Sequence, residues 1–458
     1  MRRSLGEKKP RDSERDPKGL QAASTVSGAG PLLIKGGRVI DPAGGVDEVQ
    51  DLLIEEGLIK EVSKSIASKG AATIDATGKI VAPGFVDMHA HLREPGREDE
   101  ETIESGTRAA VKGGFTAVCC MPNTEPPIDD QGTVRFILER SRRFGKCHVF
   151  PVGTVTKGRK GEEISEIGDL VEAGCVAISD DGSSVMNGEI MRRALEYSKQ
   201  FSIPVISHCE DANLTRDFQM NEGFMSTKLG MRGYPPVAEE VMVARDISLC
   251  AYTGGRLHIA HISTKGSVEL VRQAKSAGID VTCEVTPHHL SLTDDLISSF
   301  DTALKTNPPL RTKEDVDALA DGVADGTIDA IATDHAPHAF FEKEVEFAAA
   351  PFGMVGLETA VGVVLTFLVK KKRIPIGRMV SCMSSNPARI LNLDMGTLKA
   401  GARGNVVIVD TNARWTVKAD SFESRSRNSP YVGSELEGLI WMTVVDGGIV
   451  FRDGRVVD

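Results

Sequence analysis

From Phe85 onward the chain repeats one unit, a short apolar strand-like run followed by a stretch of helical periodicity. Eight such runs can be counted, near Val86, Ala117, Val149, Val176, Val205, Ile259, Val281 and Ala330. The helical spacing is carried by segments such as those from Glu104 to Lys112, Glu189 to Lys199 and Val237 to Ala251. Eight βα units predict an α/β fold, a closed (β/α)8 TIM-type barrel, whose functional side chains stand at the carboxyl ends of the strands.

Six residues with metal-ligating chemistry fall at those ends. His89 and His91 close the first run. In an extended strand, residues i and i+2 share a face, so both rings aim at one point. Neutral imidazole is a common ligand for zinc and its first-row neighbours. Asp181 follows the fourth run, His208 the fifth, His261 the sixth and Asp334 the eighth. A lone His-x-His is as readily two satisfied polar histidines in a turn, but this placement at strand ends is no random scatter and predicts a metal site.

At 458 residues the chain exceeds a barrel of roughly 250 to 300. Short strands joined by Gly and Pro turns precede it, from Leu32 to Ile40 and from Asp51 to Lys60, and others follow it around Val406 to Asp410 and Trp441 to Asp446. Neither end has enough apolar surface to be stable alone. We expect one small β-sandwich built from both ends, residues 31–83 and 391–458, around a barrel at 84–390. Residues 1–30, polar and charged, predict a disordered tail. Glu7, Asp12, Glu14 and Asp16 speak against reading it as a transit peptide.

No apolar run reaches the roughly 18 residues that span a bilayer, and no signal-peptide core is present. The expectation is a soluble, cytoplasmic protein. The eight cysteines form no Cys-x-x-Cys pair and sit mostly in apolar runs, as reduced core residues do. A net charge of −11 argues against nucleic acid or an anionic membrane as partner, and an anionic small molecule would need a local cation.

The motifs Asp87-Met88-His89-Ala90-His91-Leu92-Arg93-Glu94-Pro95-Gly96, Met121-Pro122-Asn123-Thr124, Ser179-Asp180-Asp181-Gly182, Ser207-His208-Cys209-Glu210-Asp211, Ala260-His261-Ile262-Ser263, Thr306-Asn307-Pro308-Pro309-Leu310-Arg311 and Ala332-Thr333-Asp334-His335-Ala336-Pro337-His338 occur in that order. Through them the chain resembles the amidohydrolase superfamily and, within it, the long, type I dihydroorotases, over roughly residues 31 to 458. The resemblance implies that His89, His91 and Asp334 hold one Zn2+ and that His208 and His261 hold a second. Asp181, the family's second aspartate in its motif, would bridge the two, with Asp180 as the other carboxylate at that position. Many relatives bridge with a carboxylated lysine, and none stands here.

Cleaving a cyclic amide at neutral pH needs an activated water, and metal coordination lowers the pKa of water to about 7. Asp334 would take the proton of the attacking water and return it to the departing nitrogen. In the opposite direction it would take the proton of a carbamoyl nitrogen. Arg93 can grip a carboxylate with a two-pronged, charge-assisted contact. By resemblance His91, Asn123 and His338 lie beside the substrate, Asn307 touches its ring edge, and the Phe352-Gly353 backbone closes the pocket. His288, His289 and His335 read as supporting or loop residues, and His148 and His258 as core histidines.

The implied reaction is the reversible interconversion of N-carbamoyl-L-aspartate and (S)-dihydroorotate plus water, the third step of de novo pyrimidine biosynthesis. A homodimer is the default expectation for such a chain, and association with aspartate transcarbamoylase is left open by the sequence. A hydantoinase or allantoinase would act on a neutral ring and leave Arg93 nothing to bind. A non-catalytic subunit of aspartate transcarbamoylase would lack ligands, and all six are present.

Overall fold

Strands buried on both faces read as continuous apolar runs, and Phe85–Ala90, Phe115–Cys120 and His148–Gly153 are buried at every position. In the computed structural model, which describes residues 30–457, they are joined by Ala177–Ser179, Val205–Ser207, Leu257–Ile259, Val281–Val285 and Ala330–Ile331 in one parallel sheet of eight strands, ordered as in the chain. The tail expected at 1–30 lies, but for Gly30, outside the described residues. Pairing of Ala90 with His335 closes the barrel, and the His91 N–H donates to the His335 carbonyl at 2.9 Å. Closure thus falls at the His-x-His motif itself.

The barrel is filled, as layered side chains require. Val86, Met88, Ala117, Cys119, Val152, Ile206 and Ala330 share one interior cluster. The outward faces of the strands join the helices in a larger apolar cluster. All eight cysteines are free and buried. Among the described residues no helix is long and apolar enough to cross a membrane.

Local chemistry sets the helix ends. Thr102 caps the helix Ile103–Lys112 by accepting from the Ser105 N–H, while the Ser105 hydroxyl accepts from the Thr102 N–H. Asp130 caps Gln131–Phe144 through the N–H groups of Gly132 and Thr133. Each such cap contributes about 1 kcal/mol.

The strands before and after the barrel in the chain pair into one continuous nine-stranded sheet. Its centre is Ile80–Pro83, which pairs in parallel with Leu32–Asp41 on one side and antiparallel with Val406–Thr416 on the other. Residues from both halves, among them Leu32, Ile34, Leu52, Val406, Ile408 and Met442, share one apolar cluster. The two ends of the chain therefore depend on each other for burial.

Candidate metal centre and active site

All six expected ligands converge at the carboxyl ends of the barrel strands, and all are buried. Asp181 stands at the centre. Its Oδ1 lies 3.3 Å from His89 Nε2, 3.5 Å from His261 Nε2 and 3.7 Å from His208 Nδ1, and its Oδ2 lies 3.5 Å from His91 Nε2. Asp334 Oδ1 lies 3.1 Å from His91 Nε2 and 3.7 Å from His89 Nε2. Asp180 takes no part. Its carboxylate accepts from the N–H groups of Val155 and Thr156 at 2.8 and 3.1 Å and from the Thr156 hydroxyl, which fastens it to the loop after the third barrel strand.

Burial works to raise the carboxyl of Asp181, but the charge of His89 and the close approach of the His261 and His89 imidazoles outweigh it and hold it well below the usual range. Asp334 is likewise raised by burial and lowered more strongly, by its hydrogen bond with His91 and by the neighbouring imidazoles. Both carboxylates stay ionised.

Such a set fits a cation. Buried polar atoms are almost always partnered, yet His89 Nε2 and Asp181 Oδ1 have no hydrogen bond, and they face each other. His208 Nδ1 and His261 Nε2 lie only 3.0 Å apart. The groups His89, Asp181, His261 and His89, His91, Asp334 can each gather around one ion, and imidazole with carboxylate suits zinc, cobalt or manganese. A third group, Glu100, His338 and Glu342, has comparable spacing but is crossed by guanidinium. Arg93 Nε lies 2.8 Å from Glu100, and Arg97 Nη2 lies 3.1 Å from Glu100 and 2.7 Å from Glu342.

Arg93, His261 and Asp334 all carry positive φ, at 62°, 28° and 47°. Side-chain-bearing residues avoid this region, and such strain gathers at functional sites.

Behind the ligands lies a layer that the sequence did not disclose. His89 Nδ1 is 2.6 Å from Glu284 Oε1, whose other oxygen is 3.2 Å from His258 Nε2. His91 Nδ1 donates to Asn123 Oδ1 at 2.8 Å, and His208 Nε2 to Glu210 at 2.9 Å. The outward nitrogens of these three rings are thereby fixed, which sets tautomer and aim. A carboxylate within the seventh apolar run, at Glu284, was the one available signal.

The other histidines divide. His258 is core, as expected, and also meets Glu284. His335 is held by Glu101 at 3.2 Å and accepts from the Gly356 N–H. His289 contacts Thr286 and the Pro308 carbonyl. His288 is buried with Nε2 unpartnered, and His148 pairs with Asp446.

On the substrate side, Arg93 is anchored through Nε alone, to Glu100 and to the Pro337 carbonyl at 3.1 Å. His338 stands between Glu100 at Nδ1 and the Phe352 carbonyl at Nε2, 2.7 Å away. Gly353 has φ 132°, and a Cβ there would lie 2.6 Å from Ala336 Cβ and 3.0 Å from His338 Nε2, so only glycine fits. Asn428, from the C-terminal segment, binds both sides of this corner by donating to the Ala336 and Gly353 carbonyls at 3.1 and 3.2 Å. Glu101 accepts from the Ser424 hydroxyl and from the Arg425 N–H in the same segment.

A (β/α)8 barrel with buried imidazole and carboxylate side chains gathered at its mouth is the architecture of the amidohydrolase class. The L-hydantoinase (dihydropyrimidinase) of Arthrobacter aurescens matches the structure with a TM-score of 0.84 at 26% identity, over 93% of this chain and 97% of that one. The dihydropyrimidinase of Brevibacillus agri shares the fold, with a TM-score of 0.82 at 21% identity over 93% and 96%. The model of the dihydro-orotase-like family matches residues 78–267. The dihydroorotase of Geobacter metallireducens is 52% identical over 92% of this chain and 99% of its own, and that of Pelotomaculum thermopropionicum 52% identical over 93% and 99%. The chain belongs to the dihydroorotase family.

Proposed function

We propose that this protein is a zinc-dependent dihydroorotase that interconverts N-carbamoyl-L-aspartate and (S)-dihydroorotate plus water, the third step of de novo pyrimidine biosynthesis. The observation that carries the reading is Arg93 beside the ligand cluster. Both of its anchors use Nε, which leaves the two Nη groups for the carboxylate that distinguishes dihydroorotate from neutral cyclic ureides. Asn123 gives its Oδ1 to His91 and keeps Nδ2 to donate to the same carboxylate.

His89, His91 and Asp334 would hold one Zn2+, His208 and His261 a second, and Asp181 would be shared. Bound zinc supplies Lewis acidity toward the amide carbonyl and lowers the pKa of a water to about 7. Asp334, kept ionised among the imidazoles, takes the proton of the attacking water and delivers it to the departing ring nitrogen. In the biosynthetic direction it takes the proton of the carbamoyl nitrogen. Asn307 meets the ring edge, and the Phe352-Gly353 backbone with His338 closes the pocket. A cytoplasmic homodimer able to dock onto aspartate transcarbamoylase fits the family resemblance.

The deciding experiment is turnover of purified, metal-assayed protein on dihydroorotate, with hydantoin and allantoin beside it. Activity on dihydroorotate that a chelator abolishes and zinc restores supports the proposal. Preference for hydantoin or allantoin would move the protein to a neutral-ring amidase. Full metal occupancy without turnover on any of the three would point to a supporting subunit.

A further inference from the structure

Glu210 follows the fifth barrel strand, two positions after His208, with a side chain only 14% exposed. Its Oε2 lies 2.9 Å from His208 Nε2 and accepts from Asn307 Nδ2 at 2.8 Å. Its other oxygen accepts from the Thr215 hydroxyl, which holds the carboxylate in place. One oxygen thus meets a residue of the metal cluster and a residue of the pocket wall.

An ionised carboxylate only accepts hydrogen bonds, and this fixes both partners. The proton of His208 must sit on Nε2, so Nδ1 presents its lone pair, and that atom faces Asp181 and His261. Asn307 must turn its NH2 to Glu210, so its Oδ1 becomes the free acceptor. That oxygen is buried and has no donor among the described residues. A ring N–H of a cyclic ureide supplies one.

We infer that Glu210 is a positioning residue that couples metal holding to ring recognition, by fixing the imidazole of His208 and the carboxamide of Asn307 with a single oxygen. The part that concerns substrate rests on the dihydroorotase reading, whereas the part that concerns metal does not.

The test uses the full chain, loaded with zinc, as wild type, Glu210→Ala, Glu210→Gln, Asn307→Ala and the double variant Glu210→Ala with Asn307→Ala. Zinc affinity is read by competition with a chromogenic chelator, without turnover. Glu210→Ala is expected to weaken it about 10-fold or more and to raise KM for dihydroorotate about 10-fold, with a smaller change in kcat. In Glu210→Gln the amide oxygen still accepts from both partners, so KM returns close to wild type while the lost charge leaves zinc binding weaker. In the Asn307→Ala background, adding Glu210→Ala should weaken zinc binding again but leave KM unmoved.

Unchanged zinc affinity and KM in Glu210→Ala would overturn the inference, and KM effects that multiply in the double variant would overturn the link to Asn307. Should Glu210→Ala not fold, unchanged zinc affinity in Glu210→Gln is the overturning result. A wild type inactive on dihydroorotate defeats the functional reading instead, and zinc affinity then decides the role of Glu210 alone.

Discussion

His89 Nδ1 and Glu284 Oε1 lie 2.6 Å apart, with the imidazole fully buried and the carboxylate 1% exposed. Glu284 reaches His89 from the seventh barrel strand and fixes a ring whose other nitrogen faces both Asp181 and Asp334. Glu284→Gln is therefore expected to lower zinc affinity by about 10-fold to 100-fold, read by chelator competition, with the barrel intact by circular dichroism. Wild-type affinity in that variant would remove Glu284 from the metal site.

Arg93→Met should raise KM for dihydroorotate by about two orders of magnitude, the scale of a lost charge-assisted pair. Zinc content should stay at the wild-type level, because the guanidinium touches Glu100 and Pro337 and no ligand. Steady-state kinetics beside metal analysis separates the two, and an unchanged KM would show that the substrate carboxylate lies elsewhere.

Asp334→Asn should cut kcat by at least about 1,000-fold in both directions, since an amide cannot carry the proton. Turnover measured from dihydroorotate and from carbamoyl aspartate checks this. Wild-type kcat in either direction would end the proton-transfer assignment.

Lys343, 9% exposed, donates to the Thr302 and Pro351 carbonyls. Burial, with Lys305 nearby, pushes its amine down to about 7, against about 10.4 in an unfolded chain. Between these values the unfolded state binds the proton and the native state does not, so the contribution of this group to stability rises with pH across the window and is lost as pH falls toward 7. The stability of wild type minus that of Lys343→Met, from denaturant unfolding, should increase between about pH 7 and about pH 10. A flat difference would mean that the buried amine keeps its proton.

The barrel was legible because its signal is local: each apolar run and each amphipathic helix announces itself within a dozen residues, and the candidate ligands stand at the ends of those runs. The choice between Asp180 and Asp181 was not local. It depends on Thr156, which takes up Asp180 from the loop after the third barrel strand and leaves Asp181 for the imidazoles. Glu284 stood out only as a carboxylate in an apolar run, and its role was hidden for the same reason, since its partner His89 is 195 positions away. Asn428 gave no sign at all, because a lone asparagine in a polar stretch carries no periodicity. The terminal strands were readable as strands, but their union into a single sheet required pairings between the two ends of the chain.

That sheet orders events during synthesis. Ile80–Pro83 finds one neighbour early, in Leu32–Asp41, but the other, Val406–Thr416, leaves the ribosome only after the whole barrel has been made. Asn428, which clasps the corner holding His338 and Gly353, emerges later still. Domains fold as their segments emerge, so the barrel can gather its imidazoles and carboxylates first, while the corner at Ala336 and Gly353 waits for Asn428. A nascent chain cut short before Asn428 carries the His-x-His and aspartate motifs and the corner at Ala336 and Gly353, but not the side chain that clasps its two carbonyls.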